Sequence, residues 1–352
     1  MKETLIGLAF RFRDSRLWDY LCDNNIFAVR LSDGRKAYCS VMGSAGQCYA
    51  IGVYIDAGWN TYLNLSRMYA LTDELEKEHL MCTGLDCINC NFTQERLIPD
   101  SETKEEVLRY ANAHDFDTHS PIGIPDFIRY SPYRCPSTLL DSKEEDTMEQ
   151  VLSASLHLVG LIRKQSLTSL GFTRSGIRPS DEGGEAVPLL LYDSREWIVS
   201  KTDLPGRTPV NVSPVTYTHT DIAIQIALLP VRSNLECRLI SISTPVVPEG
   251  ERGFFPVMMM FVDGNTGFVN ITGAEKFDAD ATPLRLVEEL ALKVLAAGFR
   301  PSTVYVMEDY TRSMLEDLCS QTGIKLQKVN RLKHLQEAWG SLSRALRTPR
   351  KG

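Results

Sequence analysis

The last third of the chain alternates strand-like and helix-like segments, and this order restricts the possible folds more than any other feature of the sequence. Apolar runs at 237–244, 256–263 and 267–273 predict three strands, the last two joined by a tight turn. A helix capped by Thr282 and ended by Gly298 follows. A strand, a helix, a strand and a final helix complete the series. The predicted order is therefore βββαβαβα.

The first half of the chain predicts an α+β region built on an antiparallel meander with helices. Strand-like runs at 26–31, 36–42 and 48–55 are separated by short links rich in turn residues. Helical periodicity precedes them at 4–21. Prolines at four positions predict that the stretch 121–136 has no regular structure.

Length and composition are typical of a soluble protein with two domains. The 352 residues, 43% apolar and 24% charged, exceed what one core usually organises. We expect an α+β domain over 1–165, a bridging region over 166–235 and an α/β domain over 236–352. No run approaches the roughly 20 apolar residues of a membrane span, and no signal peptide is recognisable. Nine cysteines without a secreted-type framework then predict a cytoplasmic protein.

Two parts of the chain resemble known families. Residues 18–54 carry a tryptophan-containing helix, a Phe-Ala-Val strand and the stretch Tyr-Cys-Ser-Val-Met-Gly. They are similar to the N-terminal domain of an uncharacterised family of bacterial hypothetical proteins, as are 85–92 and 127–139. The last third resembles the small α/β domain that often follows it. The resemblance implies this architecture and a bacterial setting, and it supplies no catalytic residue.

The order βββαβαβα is also that of the ribonuclease-H-like fold, and residues 298–329 resemble the second half of an integrase or transposase core. Such enzymes hold two Mg²⁺ ions with carboxylates. In one strand register Asp263 ends the first strand, and Glu288 and Asp309 complete a trio, with Glu308 as a fourth candidate. This register predicts a Mg²⁺-dependent nuclease or phosphodiesterase.

The other register makes 237–244 the first strand and leaves Asp263 at the tip of a hairpin. We favour it because it accommodates every strand, whereas the first register leaves too few residues for them. It places no carboxylate inside the first strand, and it assigns Glu308 and Asp309 to capping the next helix. The expectation is then a non-catalytic binding or interaction protein without a cofactor, containing a degenerate ribonuclease-H-like domain.

A separate candidate metal site consists of His79, Cys82, Cys87 and Cys90. The spacing of its cysteines matches an iron–sulfur run, and with the histidine it also matches a zinc site. However, 85–92 reads as a strand, and alternation along a strand sends Cys87 and Cys90 to opposite faces. Buried structural thiols are therefore the favoured interpretation.

The C-terminal segment is basic in an otherwise acidic chain. Residues 328–351 contain seven Lys or Arg and one acid, against a net charge of −7 for the whole chain. The overall charge argues against a dedicated nucleic-acid binder. The segment with Arg344, Arg347, Arg350 and Lys351 offers a contact to nucleic acid or to an acidic protein, although most basic ends are simply solvated.

Overall fold

The structure, a computed structural model, describes residues 1–68, 70–173, 176–177, 180–209 and 214–347, with side chains up to residue 342. Within these residues no helix combines the length and the apolarity that crossing a bilayer requires. The chain divides into two compact units. The first consists of Met1–Ala70, Gly84–Pro132 and Pro136–Thr208, and the second of Leu71–Thr83, Tyr133–Cys135 and Pro209–Gly352.

The first unit contains one mixed sheet with helices on both faces. Its helices are α1 (Glu3–Ser15), α2 (Trp59–Met68), α4 (Glu102–Ala113) and α5 (Ser142–Ile162). The strands of this sheet are β1 (Phe27–Arg30), β2 (Lys36–Met42), β3 (Tyr49–Ile55), β4 (Cys87–Thr93), β5 (Ile124–Ser131), β6 (Arg134–Ser137), β7 (Ala186–Asp193) and β8 (Glu196–Asp203). Within the described residues the strand order is β6-β5-β4-β3-β2-β1-β7-β8. The strands β1 to β3 form the predicted antiparallel meander, and β4 and β5 extend it.

Alternation along these strands builds a separate core on each face of the first sheet. On one face the sheet packs against α1 and α5, with Phe12, Trp18 and Met148 completely or almost completely buried. On the other face Trp59 of α2 packs against Tyr38 and Tyr54. Helices therefore cover both faces of this sheet, because the apolar face of a sheet and the apolar side of a helix are stable only when they pack against another element.

The proline-rich stretch is regular, and the prediction of irregular structure there was wrong. β5 pairs with β4 over seven residue pairs, from Ile124 opposite Thr93 to Tyr130 opposite Cys87. Pro125 is only the second residue of β5, and the neighbouring strand β6 is four residues long. Prolines are tolerated at the start of a strand and near a sheet edge, where the missing N–H group removes no ladder bond.

The second unit has the predicted order of strands and helices. After α3 (Glu74–Thr83) it contains α6 (Thr220–Leu228), β9 (Asn234–Ser241), β10 (Val257–Asp263), β11 (Val269–Ile271), α7 (Thr282–Ala297), β12 (Thr303–Val306), α8 (Asp309–Thr322), β13 (Lys325–Lys328) and α9 (Lys333–Arg347). Helices α7 and α8 end at Gly298 and Gly323, both in the left-handed conformation that stops a helix.

Among the described residues of this unit, five strands form one sheet in the order β11-β10-β9-β12-β13. The strands β9, β10 and β11 pair antiparallel, whereas β12 and β13 run parallel to β9. This arrangement is the ribonuclease-H-like fold. One face packs against α6, α7 and α8, and the other against α3 and α9.

Candidate functional site

Asp263 lies at the end of the second strand of this sheet and not the first. Its carboxylate Oδ1 accepts hydrogen bonds from the Ser233 hydroxyl at 2.6 Å and from the backbone N–H groups of Asn265 and Thr266 at 2.9 Å. Burial alone would raise the pKa of Asp263, but these hydrogen bonds outweigh it and lower the pKa. The side chain therefore holds the turn between β10 and β11.

The strand register separates Asp263 from the acids that follow β12. Asp263 lies opposite Leu235, and Leu235 lies opposite Val304. Glu308 is four residues further along the chain than Val304, which is about 13 Å in an extended strand. β9 also stands between β10 and β12. Carboxylates that share a pair of metal ions about 4 Å apart cannot be separated in this way.

The remaining acids of the predicted trio have other partners. Glu288 on α7 contacts the imidazole of His219, with Oε1 and Nε2 separated by 2.9 Å. Asp309 begins α8 with a side chain that is 73% exposed, and it accepts a hydrogen bond from Lys328 Nζ at 2.6 Å. In these contacts neither Glu288 nor Asp309 is paired with Asp263.

The first strand does contain a carboxylate, and the prediction that it has none was wrong. β9 begins at Asn234, three residues before the predicted start, and so includes Glu236. Glu236 is buried, and its Oε2 accepts the backbone N–H of Leu335 at 2.8 Å in the first turn of α9. A carboxylate at this position stabilises the N-terminus of the helix. The apolar alternation of Leu235, Cys237 and Leu239 was the signal that could have revealed it.

The most unusual group in the second unit is Arg238, two residues after Glu236 on the same face of β9. Its side chain is 1% exposed and lies between two carboxylates. Nη2 is 2.5 Å from Oε2 of Glu76 on α3, and Nε is 2.7 Å from Oε1 of Glu308 after β12. Sequence reasoning missed this arginine, because a lone Arg in an apolar strand has no distinctive spacing.

Glu308 stands at the N-cap position of α8, but its side chain makes no capping hydrogen bond, contrary to the sequence prediction. Burial raises the pKa of Glu308, the adjacent Arg238 opposes this increase, and Glu76 adds to it. The carboxylate therefore serves as a partner of Arg238 in the interior rather than as a helix cap.

His79 lies on α3, one turn after Glu76. Among the described residues its Nδ1 atom has no hydrogen-bond partner and is shielded from solvent. Burial, together with the positive charge of Arg238, lowers its pKa to about 3. The imidazole is therefore neutral at physiological pH.

The low pKa of His79 makes stability depend on pH. Between the folded value of about 3 and the ordinary value of 6.5, the unfolded chain binds more protons at this position than the folded one. We expect stability to fall as the pH drops from 6.5 towards 3, and His79→Gln to remove part of this fall. Urea unfolding at pH 7 and pH 5 measures the difference, with the exposed His119→Gln as control. An unchanged pH dependence in His79→Gln would contradict the assignment.

The cysteine candidates divide between the two units. His79 and Cys82 lie on α3 in the second unit, whereas Cys87 and Cys90 lie on β4 in the first. Cys87 belongs to the core on one face of the first sheet and Cys90 to the core on the other. Burial raises the pKa of Cys82 and of Cys87 to about 12. Within the part of the chain that the structure describes, no three His, Cys, Asp or Glu side chains are grouped to hold a metal ion.

Two family models match separate parts of the chain. Residues 3–175 match the family model described as Domain of unknown function (DUF7309), and residues 225–343 match Domain of unknown function (DUF6930). Each match is a similarity over that part of the chain alone, and residues 225–343 are called the DUF6930 domain below for their match. The DUF6930 domain contains the ribonuclease-H-like sheet with Glu236, Arg238 and Glu308. No curated protein matches the chain.

Five solved chains show a structural likeness. One belongs to a simian T-cell lymphotropic virus intasome in complex with PP2A regulatory subunit B56 gamma, with 16% identity over 35% of this chain and 45% of that one. Another is the HTLV-2 integrase catalytic core domain in complex with magnesium, with 14% identity over 36% of this chain and 80% of that one. Both TM-scores are 0.24. The assignment of site residues in the DUF6930 domain therefore rests on its own geometry.

The four basic residues at the end of the C-terminal segment have no described side chains. Arg350 and Lys351 are beyond residue 347, and the side chains of Arg344 and Arg347 are likewise outside the described part. A contact of this segment with nucleic acid or protein thus stays a prediction.

Proposed function

We propose that the protein is a non-catalytic binding or interaction protein, and that its DUF6930 domain is a ribonuclease-H-like domain without metal chemistry. The observation that supports this proposal is Arg238. Its guanidinium lies at 2.5 Å and 2.7 Å from the carboxylates of Glu76 and Glu308, inside the sheet face that α3 and α9 cover. A fixed positive charge thus stands between two acids that would otherwise be available to a cation.

Electrostatics explains why such an arrangement disfavours a divalent cation. An ion bound to Glu308 would lie within a few ångströms of the guanidinium, and like charges repel strongly where burial lowers the effective dielectric constant. Arginine cannot relieve this repulsion by losing its proton. Asp263, Glu288 and Asp309 have the separate partners described above, so that the domain is proposed to bind no Mg²⁺ with them.

The proposed setting is the bacterial cytoplasm, with a protein or nucleic-acid partner. Every cysteine of the chain is a free thiol in the structure, which suits a reducing compartment. The basic C-terminal segment is one proposed contact, and binding through it would weaken as the salt concentration rises.

Metal binding and cleavage by the full-length protein test the proposal. We expect electron paramagnetic resonance to detect no bound Mn²⁺ at the DUF6930 domain, and we expect no cleavage of single- or double-stranded DNA or RNA. The alternative is a Mg²⁺-dependent nuclease or phosphodiesterase using Asp263, Glu288, Glu308 and Asp309. Saturable Mn²⁺ binding and cleavage that Asp309→Asn abolishes, while the exposed control Asp280→Asn retains them, would establish that alternative.

A further inference from the structure

β8 is the longest edge strand among the described residues. It has eight residues, whereas the other edge strands of the two sheets, β6, β11 and β13, have three or four. A groove of about 630 Å³ borders it, lined by 197–201 and by five residues within 157–170. Because five consecutive residues of β8 line this groove, the backbone edge itself faces it, along about 16 Å of extended chain. A long open edge of this kind is a template for pairing with a further strand.

The pairing with β7 determines which backbone groups of β8 point outward. Just beyond β8, Leu204 donates its N–H to the Glu185 carbonyl at 2.8 Å and accepts from the Gly184 N–H at 2.9 Å. Backbone groups alternate in direction along a strand. The N–H and C=O groups of the odd-numbered residues in 197–201 therefore point away from β7, towards the position of an added strand.

The side chains of this edge carry charges of both signs around an apolar centre. Arg195, in the turn before β8, and Asp203, the last residue of β8, are both exposed, as is Lys201. Midway between Arg195 and Asp203 lies the half-buried Val199, and the neighbouring Ile198 is 44% exposed. Because alternate residues of a strand share a face, the odd-numbered residues of this edge lie on one side of the sheet.

This pattern of charges is complementary to itself in one register. Two copies of a strand that continue a sheet antiparallel are related by a two-fold axis perpendicular to the sheet, and opposite side chains then lie on the same face. With Val199 on the axis, Arg195 faces Asp203 of the second copy, and Trp197 faces Lys201. Symmetry repeats both contacts, so that each dimer gains two pairs of opposite charges and two contacts between an amine and an aromatic ring.

The two neighbouring registers lack this complementarity. With Ile198 on the axis, Arg195 faces Lys201 of the second copy, and like charges directly opposite each other destabilise a sheet. With Ser200 on the axis, Asp203 faces Trp197 and no opposite charges meet. The charges of the edge therefore favour the register centred on Val199.

We propose that the free edge of β8 pairs antiparallel with the same edge of a second copy of the chain, about a two-fold axis at Val199. The remaining acid of β8 supports this occupant. In the same register Glu196 of the second copy faces Thr202, whose hydroxyl accepts a hydrogen bond from Lys36 Nζ at 2.6 Å, so that this carboxylate also meets a cation. The inference goes beyond the function proposed above, and it holds whether or not the DUF6930 domain binds a metal ion.

Sedimentation velocity of the full-length protein over a dilution series tests the proposal. We expect a wild-type dimer that dissociates on dilution, and that dissociates more readily as the salt concentration rises because charge pairs contribute to it. Val199→Pro removes one outward N–H from each copy without removing a bond to β7, and edge strands tolerate such a proline. We expect Val199→Pro to weaken the dimer at least about tenfold.

Two charge-reversal variants test the register and the identity of the partner together. Arg195→Asp and Asp203→Arg each place like charges opposite each other in both symmetric contacts, so each should weaken self-association about tenfold. An equimolar mixture of the two variants restores opposite charges at both contacts, and we expect it to form heterodimers with wild-type affinity. Aspartate suits position 195, whose φ of 72° is left-handed. The exposed Lys325→Glu, a charge reversal in the other unit, should leave association unchanged.

Three results would overturn the proposal. The first is a wild-type monomer at every concentration, which would leave the edge of β8 to a different protein. The second is a dimer that neither Val199→Pro nor the charge reversals weaken, because its contact would lie elsewhere. The third is a mixture of the two charge variants that associates no better than its components, since the register centred on Val199 would then be wrong. Circular dichroism of each variant checks that it is folded, and the mixture decides the question if Val199→Pro does not fold.

Discussion

Replacing Arg238 with alanine should lower the free energy of unfolding by about 3–5 kcal/mol, the range measured when one partner of a buried ion pair is removed. Arg238 is 1% exposed, and the side chains of its partners Glu76 and Glu308 are 30% and 26% exposed. Without the guanidinium, two carboxylates remain in a poorly solvated site and repel each other. Urea denaturation at pH 7 measures the loss.

Glu308→Gln provides the matched comparison for Arg238→Ala. Burial already raises the pKa of Glu308, so removing its negative charge should cost less than removing the positive charge of Arg238. In the double variant Arg238→Ala/Glu308→Gln, one unpaired carboxylate is absent, and part of the lost stability should return. Arg312→Ala, an exposed arginine on α8, serves as the control with little expected effect. Equal stability of Arg238→Ala and Arg312→Ala would show that the ion pairs do not stabilise the interior.

The elements of the second unit could be predicted from the sequence because local signals mark their ends. Gly298 and Gly323 each stop a helix in the left-handed conformation, and the stop at Gly298 was predicted. The apolar runs of β9, β10 and β12 are short and bounded by polar turns, which distinguishes them from helices. The order of these elements then permits few topologies.

The centre of the candidate site could not be predicted in the same way, because it depends on pairing between distant segments. Arg238 contacts Glu76, which lies 162 positions earlier in the chain. No local pattern relates these two residues. Starting β9 at residue 237 also excluded Glu236, because strand ends are the least certain part of a sequence prediction. Similarly, a local rule about proline missed β5, whose neighbours β4 and β6 stabilise it despite Pro125.

Trp18→Ala should lower the free energy of unfolding by about 3–5 kcal/mol, the usual cost of truncating a large aromatic side chain in a core. Trp18 is 1% exposed and lies in a short helical turn after α1. Its ring centroid is 5.9 Å from that of Phe12, 5.0 Å from that of Tyr49 and 5.7 Å from that of Phe92. It thereby joins the N-terminal helix to β3 and β4, so that truncation leaves a cavity between helix and sheet.

The comparison with Trp18→Phe separates packing from polarity. Within the described residues the indole Nε1 of Trp18 has no hydrogen-bond partner, so Trp18→Phe removes volume but no hydrogen bond. We expect Trp18→Phe to lower the free energy of unfolding by less than half as much as Trp18→Ala does. The nearby Tyr20→Ala removes an aromatic side chain that is 42% exposed and should change stability by less than about 1 kcal/mol. If Trp18→Ala and Tyr20→Ala unfold at the same urea concentration, Trp18 does not fix α1 to the sheet, and α1 must then be held mainly by its packing against α5.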